Sequence, residues 1–524
     1  MSIATISRPV FRQKPIPEIG HRIAAVESAS EHSPSLAEII SALSLALDLT
    51  EGAIPGHALR CCLLGMRLGR ELGFSDAALA DLYHALLLKD VGCSSNSARM
   101  CQIIGGGDDR AVKSGVKLED WTKPHRPSLS ALRLLWNNVV PHGGSIRKVG
   151  NILRIALTQH RNNEEMIQLR CDRGASIVRK IGMSEQSAQA VRSLDEHWDG
   201  SGYPERSIGT AIPQLARVMA VAQHLDVFAL ERNPEQAMQV LRARSGRWFD
   251  PEVVKAAESL HRRGDLWMQC LPGGERGAWR PELTARSAVL DLAPVQTARM
   301  SASHIDQICE AFAEVVDAKS HFTFRHSVGV TDVASEIGNA MGLNPARKQL
   351  LHRAALLHDL GKLRVPNSIL DKPGKLESTE WAIMQEHPAL TTAILRRVKQ
   401  FHELAYVAGA HHEKLDGSGY PDRLRAEDLP LEARILAVAD IYGALVEDRP
   451  YRAGFSPEQA LSIMKRDAPV KIDAECFDAL SKVAGSISQP APILARPSSV
   501  QPMRRTEQQR AGALDTEPTM FVAR

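Results

Sequence analysis

Between Ser327 and Met341 the apolar residues Val328, Val330, Val333, Ala334, Ile337 and Ala340 recur at the threes and fours of a helical face. That period predicts an amphipathic helix stopped by Gly342. Leu350–Leu360, Trp381–Val398 and Ala433–Val446 carry the same signature. Runs alternating apolar and polar residues, as half-buried strands do, are scarce. The expected fold class is all-α.

The pattern occurs twice. The hexapeptide Asp199-Gly-Ser-Gly-Tyr-Pro204 returns as Asp416-Gly-Ser-Gly-Tyr-Pro421, at an offset of 217. The offset persists downstream, where Ala216-Arg217-Val218 matches Ala433-Arg434-Ile435 and Arg232 matches Arg449. Towards the amino terminus it becomes 269, pairing His57 with His326, Asp90 with Asp359 and Gly92 with Gly361, and beyond Arg232 it is 223. The first copy therefore holds 52 extra residues between Cys93 and Arg170, and the second holds six around Pro450 to Ser456. Two homologous helical bundles in tandem explain all three offsets. The expected domains are 34–270, with an insertion at about 94–150, and 296–486. A flexible segment over 1–33, a Gly- and Pro-rich linker over 271–295 and a disordered tail over 487–524 complete the chain.

Composition narrows the partners. A net charge of +3 over 524 residues, with no block of like charge, argues against a nucleic acid polymer. No leader-like apolar region or uninterrupted apolar stretch of membrane-spanning length is present, so the chain is expected in the cytoplasm with no membrane contact. Eight cysteines without a Cys-x-x-Cys pair read as reduced core thiols.

The second copy concentrates the chemistry. His326, His358, Asp359, His387, His411, His412 and Asp440 fall at expected helix ends or in short loops. Imidazole donors favour iron, manganese, zinc or nickel over calcium and magnesium. Seven ligands are too many for one ion and suit two, provided one carboxylate bridges; Asp359 is the candidate. A paired-ion site fits phosphodiester hydrolysis, which needs a hydroxide at neutral pH and a counter-charge for developing oxyanions. Lys362 would place an ammonium near the scissile phosphate, and Arg449 and Arg452 would hold the second phosphate or the bases. In the loop Gly419-Tyr420-Pro421, glycine permits unusual backbone and tyrosine offers an aromatic anchor.

Phe324-Arg-His326-Ser327, His358-Asp-Leu-Gly-Lys362, Glu386-His-Pro388, His411-His-Glu413, Asp416 to Pro421, Ala439-Asp440 and Arg449-Pro-Tyr-Arg452 together resemble the HD-GYP family of the HD phosphohydrolases. The resemblance implies a helical bundle that binds two or three iron or manganese ions and cleaves cyclic di-GMP to pGpG or GMP. By it, His326, His358, Asp359 and Asp440 would hold one divalent metal and His387, His411 and His412 the other, with Asp359 shared. Trinuclear members carry a glutamate four residues before the first histidine; Phe322 stands there, so two metals are expected. Gly443 replaces an aspartate usual in the family, which bears on turnover. The Gly-Tyr-Pro loop is associated in the family with GGDEF-domain partners.

The first copy keeps His57 and Asp90 but places Lys89, Arg170, Leu194, Asp195 and Gln223 at the other five ligand positions, and Cys93 at that of Lys362. No metal is expected there. A packing, sensory or dimerising role is, and a homodimer is among the expected assemblies. The expected function is hydrolysis of cyclic di-GMP; the alternatives are a nearly inert signalling adaptor and a phosphohydrolase of another nucleotide, and the sequence also leaves a related cyclic dinucleotide open as substrate.

Overall fold

Each repeat opens on a helix that caps the next. In the computed structural model, which describes residues 33–117, 129–141, 144–271, 281–295, 300–320, 322–323, 325–449 and 452–485, these are Leu36–Glu51 and Ala302–Asp317. Ser35 and Ser301 start them by accepting a backbone N–H three residues on. The segment 1–32, the residues beyond 485 and the Pro450-Tyr451 pair lie outside the described residues.

The second helices, His57–Glu71 and His326–Ala340, begin on a histidine and have no side-chain cap of their own. A buried aspartate of the preceding helix supplies it. Asp317 accepts the Ser327 hydroxyl at 2.7 Å and the Ser327 N–H at 3.2 Å. Asp48, its counterpart at offset 269, accepts the N–H groups of Gly56 at 2.8 Å and Ala58 at 3.0 Å. Burial pushes both carboxyls up to about 7. Removing either leaves buried donors unpaired, at about 1–3 kcal/mol. We expect Asp317→Ala and Asp48→Ala each to lower the thermal unfolding midpoint measurably, with only Asp317→Ala also weakening metal uptake; an unchanged midpoint in both would show that these caps contribute nothing.

Asp76–Leu88 and Pro345–Leu357 follow, each leading into a 3₁₀ turn, Cys93–Asn96 or Leu360–Arg364. Among the described residues there is no strand, only isolated bridges such as Asp199 with Ile208 and Asp416 with Arg425. The all-α expectation holds. The repeats pack reciprocally. Leu36–Glu51 of the first lies against Leu360–Arg364 and His387–Leu395 of the second, while Ala302–Asp317 of the second lies against Cys93–Asn96 and Ser145–Lys180 of the first. One apolar core runs from Leu36 to Ala484 through both repeats. The backing behind Lys362 and His387 is therefore supplied by the first repeat.

The insertion forms the helices Ser97–Ile103, Asp109–Lys117 and Leu129–Asn138, then the first half of Ser145–Lys180. Its buried Ile104, Val112 and Val139 make a small core of their own. Asp109 reaches the second repeat, accepting the Asn367 N–H at 3.1 Å.

Two expectations need correction. The segment 271–295 is not all linker: Pro281–Asp291 is a helix whose Ala285, Ala288 and Val289 are buried. Its proline, read as a breaker, stands at the helix start, where no N–H is required. Residues 272–280 lie outside the described residues. Trp381–Val398 is two helices, Ser378–Met384 and His387–Leu395, because Pro388 cannot continue the first and instead opens the second. All eight cysteines are free and buried. No helix among the described residues is long and apolar enough to cross a membrane.

Candidate metal centre

Seven side chains from five segments converge in the second repeat. His326 is the first residue of its helix, His358 and Asp359 follow Pro345–Leu357, and His387 opens His387–Leu395. His411 and His412 follow His402–Gly409. Asp440, expected near a helix end, sits inside Leu431–Val446 and faces inward from it.

Four imidazoles are anchored through Nδ1. His358 donates to Ala355 O at 2.7 Å, His387 to Met384 O at 2.7 Å and His411 to Ala408 O at 2.6 Å, each reaching back three residues. His326 Nδ1 lies 2.8 Å from Glu447 Oε2. Fixing Nδ1 in this way turns the Nε2 lone pair towards the centre, the arrangement metal-bound histidines require.

Asp359 divides the centre. Its Oδ2 lies 3.4 Å from His358 Nε2 and 3.7 Å from His326 Nε2, and its Oδ1 lies 3.4 Å from His387 Nε2 and 3.7 Å from His411 Nε2. Asp440 Oδ1 joins the first group, 3.2 Å from His326 Nε2 and 3.7 Å from His358 Nε2. His412 Nδ1 lies 3.8 Å from the other Asp440 oxygen. Metal–donor bonds of about 2.0–2.2 Å place two ligands of one ion roughly 3–3.5 Å apart, so these spacings suit coordination. His326 Nε2, His358 Nε2 and Asp359 Oδ1 are buried without a hydrogen-bond partner, the nearby atoms lying off the bonding directions. A cation between the two histidines and a second on the Oδ1 side of Asp359 would satisfy them.

The electrostatics agree. Burial depresses His326 and His358, but the carboxylates beside them, Glu447 with Asp440 and Asp359 with Asp440, together lift them to about 9 and about 10. Burial, aided by Lys362, holds His387 at about 3, and burial aided by His358 holds His411 at about 4. Burial works against ionisation of Asp359, yet His358 and Lys362 keep it well below the usual carboxylate range. The carboxylates thus create a strongly negative potential that favours cations, beside imidazoles held neutral as ligands.

The other expected site residues divide. Lys362 Nζ donates to Asp359 Oδ2 at 2.6 Å, at the centre itself. Arg449 lies at its edge, 3.7 Å from Glu447. Arg452, expected on substrate, turns away: its guanidinium donates to Leu445 O at 2.9 Å and Ala444 O at 2.6 Å, capping the carbonyl end of Leu431–Val446. The loop expected to meet partners is partly buried. Gly419 is buried, and a Cβ there would stand 2.5 Å from Glu413 Cα. Tyr420 packs on His412, ring centroids 4.8 Å apart, and the Tyr420–Pro421 bond is cis, as is Tyr203–Pro204 in the first repeat. Glu413 orients neither histidine; it accepts the N–H groups of Asp422 at 2.7 Å and Leu424 at 3.0 Å. Glu196 does the same for Glu205 and Ser207. The loop thus persists in both repeats as a carboxylate-stapled wall.

In the first repeat, cations of the chain pair with the carboxylates at and around the corresponding place. Lys89 pairs with Asp90, Arg170 with Asp195, and Arg60 with Asp226 at 2.6 Å. His57, Cys61 and Asp226, and likewise Glu51, Asp90 and Cys93, are close enough to share an ion, but Arg60, Lys89 and Lys113 already neutralise these groups.

The HD domain family model matches residues 147–253 and 310–476, one stretch in each repeat. The chain is 40% identical over 460 residues to 3'3'-cGAMP-specific phosphodiesterase 3 of Vibrio cholerae, covering 87% of this chain and 96% of that one. It is 38% identical over 162 residues to the cyclic di-GMP phosphodiesterase response regulator RpfG of Xanthomonas campestris, 30% of this chain and 43% of the other. A crystal structure of a cyclic GMP-AMP specific phosphodiesterase from V. cholerae superposes with a TM-score of 0.58 at 36% identity, over 86% of this chain and 98% of that one. With the family model on both repeats and the ligand set complete in the second, the chain belongs to the HD-GYP family of HD-domain phosphohydrolases.

Proposed function

We propose that this chain is a metal-dependent phosphodiesterase acting at its second repeat on a cyclic dinucleotide, with 3'3'-cGAMP as its substrate. The observation that carries the reading is Asp359, whose two oxygens address two separate groups of histidines. His326, His358 and Asp440 would hold one ion and His387, His411 and His412 a second, with Asp359 between them; the imidazole-rich set suits iron or manganese. Such ions, when bound, lower the pKa of water and neutralise phosphate oxygens. The chain's own contribution is positional. Nδ1 anchors fix the imidazoles, the first repeat backs the Lys362 turn, and Lys362 brings an ammonium to the centre.

The cyclic di-GMP expectation widens to cyclic dinucleotides. The choice of 3'3'-cGAMP rests on length: the relative of that specificity matches through both repeats, whereas the cyclic di-GMP relative matches 162 residues. We expect the protein, loaded anaerobically with Fe(II) or Mn(II), to linearise 3'3'-cGAMP with a kcat/KM at least about tenfold above that for cyclic di-GMP. The reverse ratio would assign cyclic di-GMP. Hydrolysis of neither by metal-loaded protein would overturn the enzyme and favour the adaptor.

A further inference from the structure

His57 and His326 hold corresponding places, and each meets a carboxylate at Nδ1, but from different positions. In the first repeat the carboxylate is Asp226, 2.7 Å from His57 Nδ1. Its counterpart at offset 217 is Gly443, which has none. A Cβ at Gly443 would stand 3.9 Å from His326 Nδ1, so an aspartate there would reach the same ring nitrogen. Glu447 fills that role from one helical turn further on. Its N–H closes the last turn on Gly443 O at 3.1 Å, and its Oε2 lies 2.8 Å from His326 Nδ1.

Two more positions change in step. Leu230 stands in the first repeat where Glu447 stands in the second, and Arg60 stands where the second has Gly329. Arg60 is the cation that pairs with Asp226. At Gly329 a Cβ would lie 3.7 Å from Glu447 Oε1, so a side chain as long as arginine would enter the space that the longer glutamate uses. Glycine is disfavoured inside a helix relative to alanine, and here it makes room. Asp226, Leu230 and Arg60 form one solution; Gly443, Glu447 and Gly329 form another.

We propose that Glu447 is the positioning residue of His326, replacing from the helix end the carboxylate lost at Gly443. It holds the Nδ1–H so that Nε2 faces Asp440 and Asp359. Gly443 is thereby compensated and does not mark a weakened centre. The inference rests on the metal-dependent reading above and is read out without turnover.

The test compares Mn(II) affinity, by calorimetry and bound-metal analysis, in the full-length wild type, Glu447→Ala and Gly443→Asp/Glu447→Ala, alongside each protein's thermal midpoint after chelation. Glu447→Ala should lose about 10–100-fold in affinity for one ion while unfolding at the wild-type midpoint. The double variant, with its carboxylate returned to position 443, should regain most of that affinity. Wild-type affinity in Glu447→Ala, or a double variant no better than the single, would overturn the proposal. A wild type that binds no metal would overturn the functional reading first, before any variant is compared.

Discussion

Replacing His358 and Asp359 together by alanine is expected to abolish hydrolysis, by about 10³-fold or more, and to empty the protein of bound metal. The size follows from the geometry. Asp359 sets one oxygen 3.4 Å from a histidine of each group, closer to the second group than Asp440 comes, so its loss would remove a ligand from each ion. His358 takes away a second donor of the first group. The double alanine also unbinds Lys362, whose ammonium pairs with Asp359 Oδ2. The matching change in the first repeat, Lys89→Ala with Asp90→Ala, removes an ion pair buried at the corresponding place and should cost stability without lowering metal content. Hydrolysis that survives in the His358 and Asp359 variant would place the chemistry elsewhere.

Lys362→Met should give the second largest loss, about 10²-fold in kcat, with metal binding kept or tightened. The signs differ because Lys362 is a cation beside a cation site. Its charge competes with a metal for Asp359, so removing it eases uptake. In turnover the same charge would face phosphate oxygens as they gain negative charge, where a preorganised donor is worth several kcal/mol. A change confined to KM would show that Lys362 serves binding alone. Loss of metal together with activity would make it a scaffold residue.

The convergence of the seven side chains was legible because each had a counterpart in the first repeat to be compared with. Seven side chains that one copy holds and the other largely lacks stand out against a scaffold both share. The same comparison, carried further, would have found more. Asp48 and Asp317 lie at offset 269 in helices that carry no ligand, and their persistence marks the caps. Glu196 persists although the first repeat has no histidine pair beside it, which marks Glu413 as part of the loop both repeats share. Glu447 was harder. It has no acidic counterpart, and its role depends on a helix turn that returns it to Gly443. Arg452 was grouped with Arg449 because the two stand close in sequence; its carbonyl contacts were harder to see, although a basic residue just past a helix end is well placed to make them. The break before His387 and the helix after residue 280 turned on prolines whose meaning depends on whether they end one helix or begin the next.

The central claim is one paired-metal centre, in the second repeat only, that drives hydrolysis of a cyclic dinucleotide. It is tested most directly by titrating Fe(II) or Mn(II) anaerobically into the chelator-treated full chain while following bound metal and 3'3'-cGAMP linearisation in the same samples. Activity should rise with metal and level off at two ions per chain. Full activity before any metal is added, or a plateau reached only when four ions are bound, would contradict it.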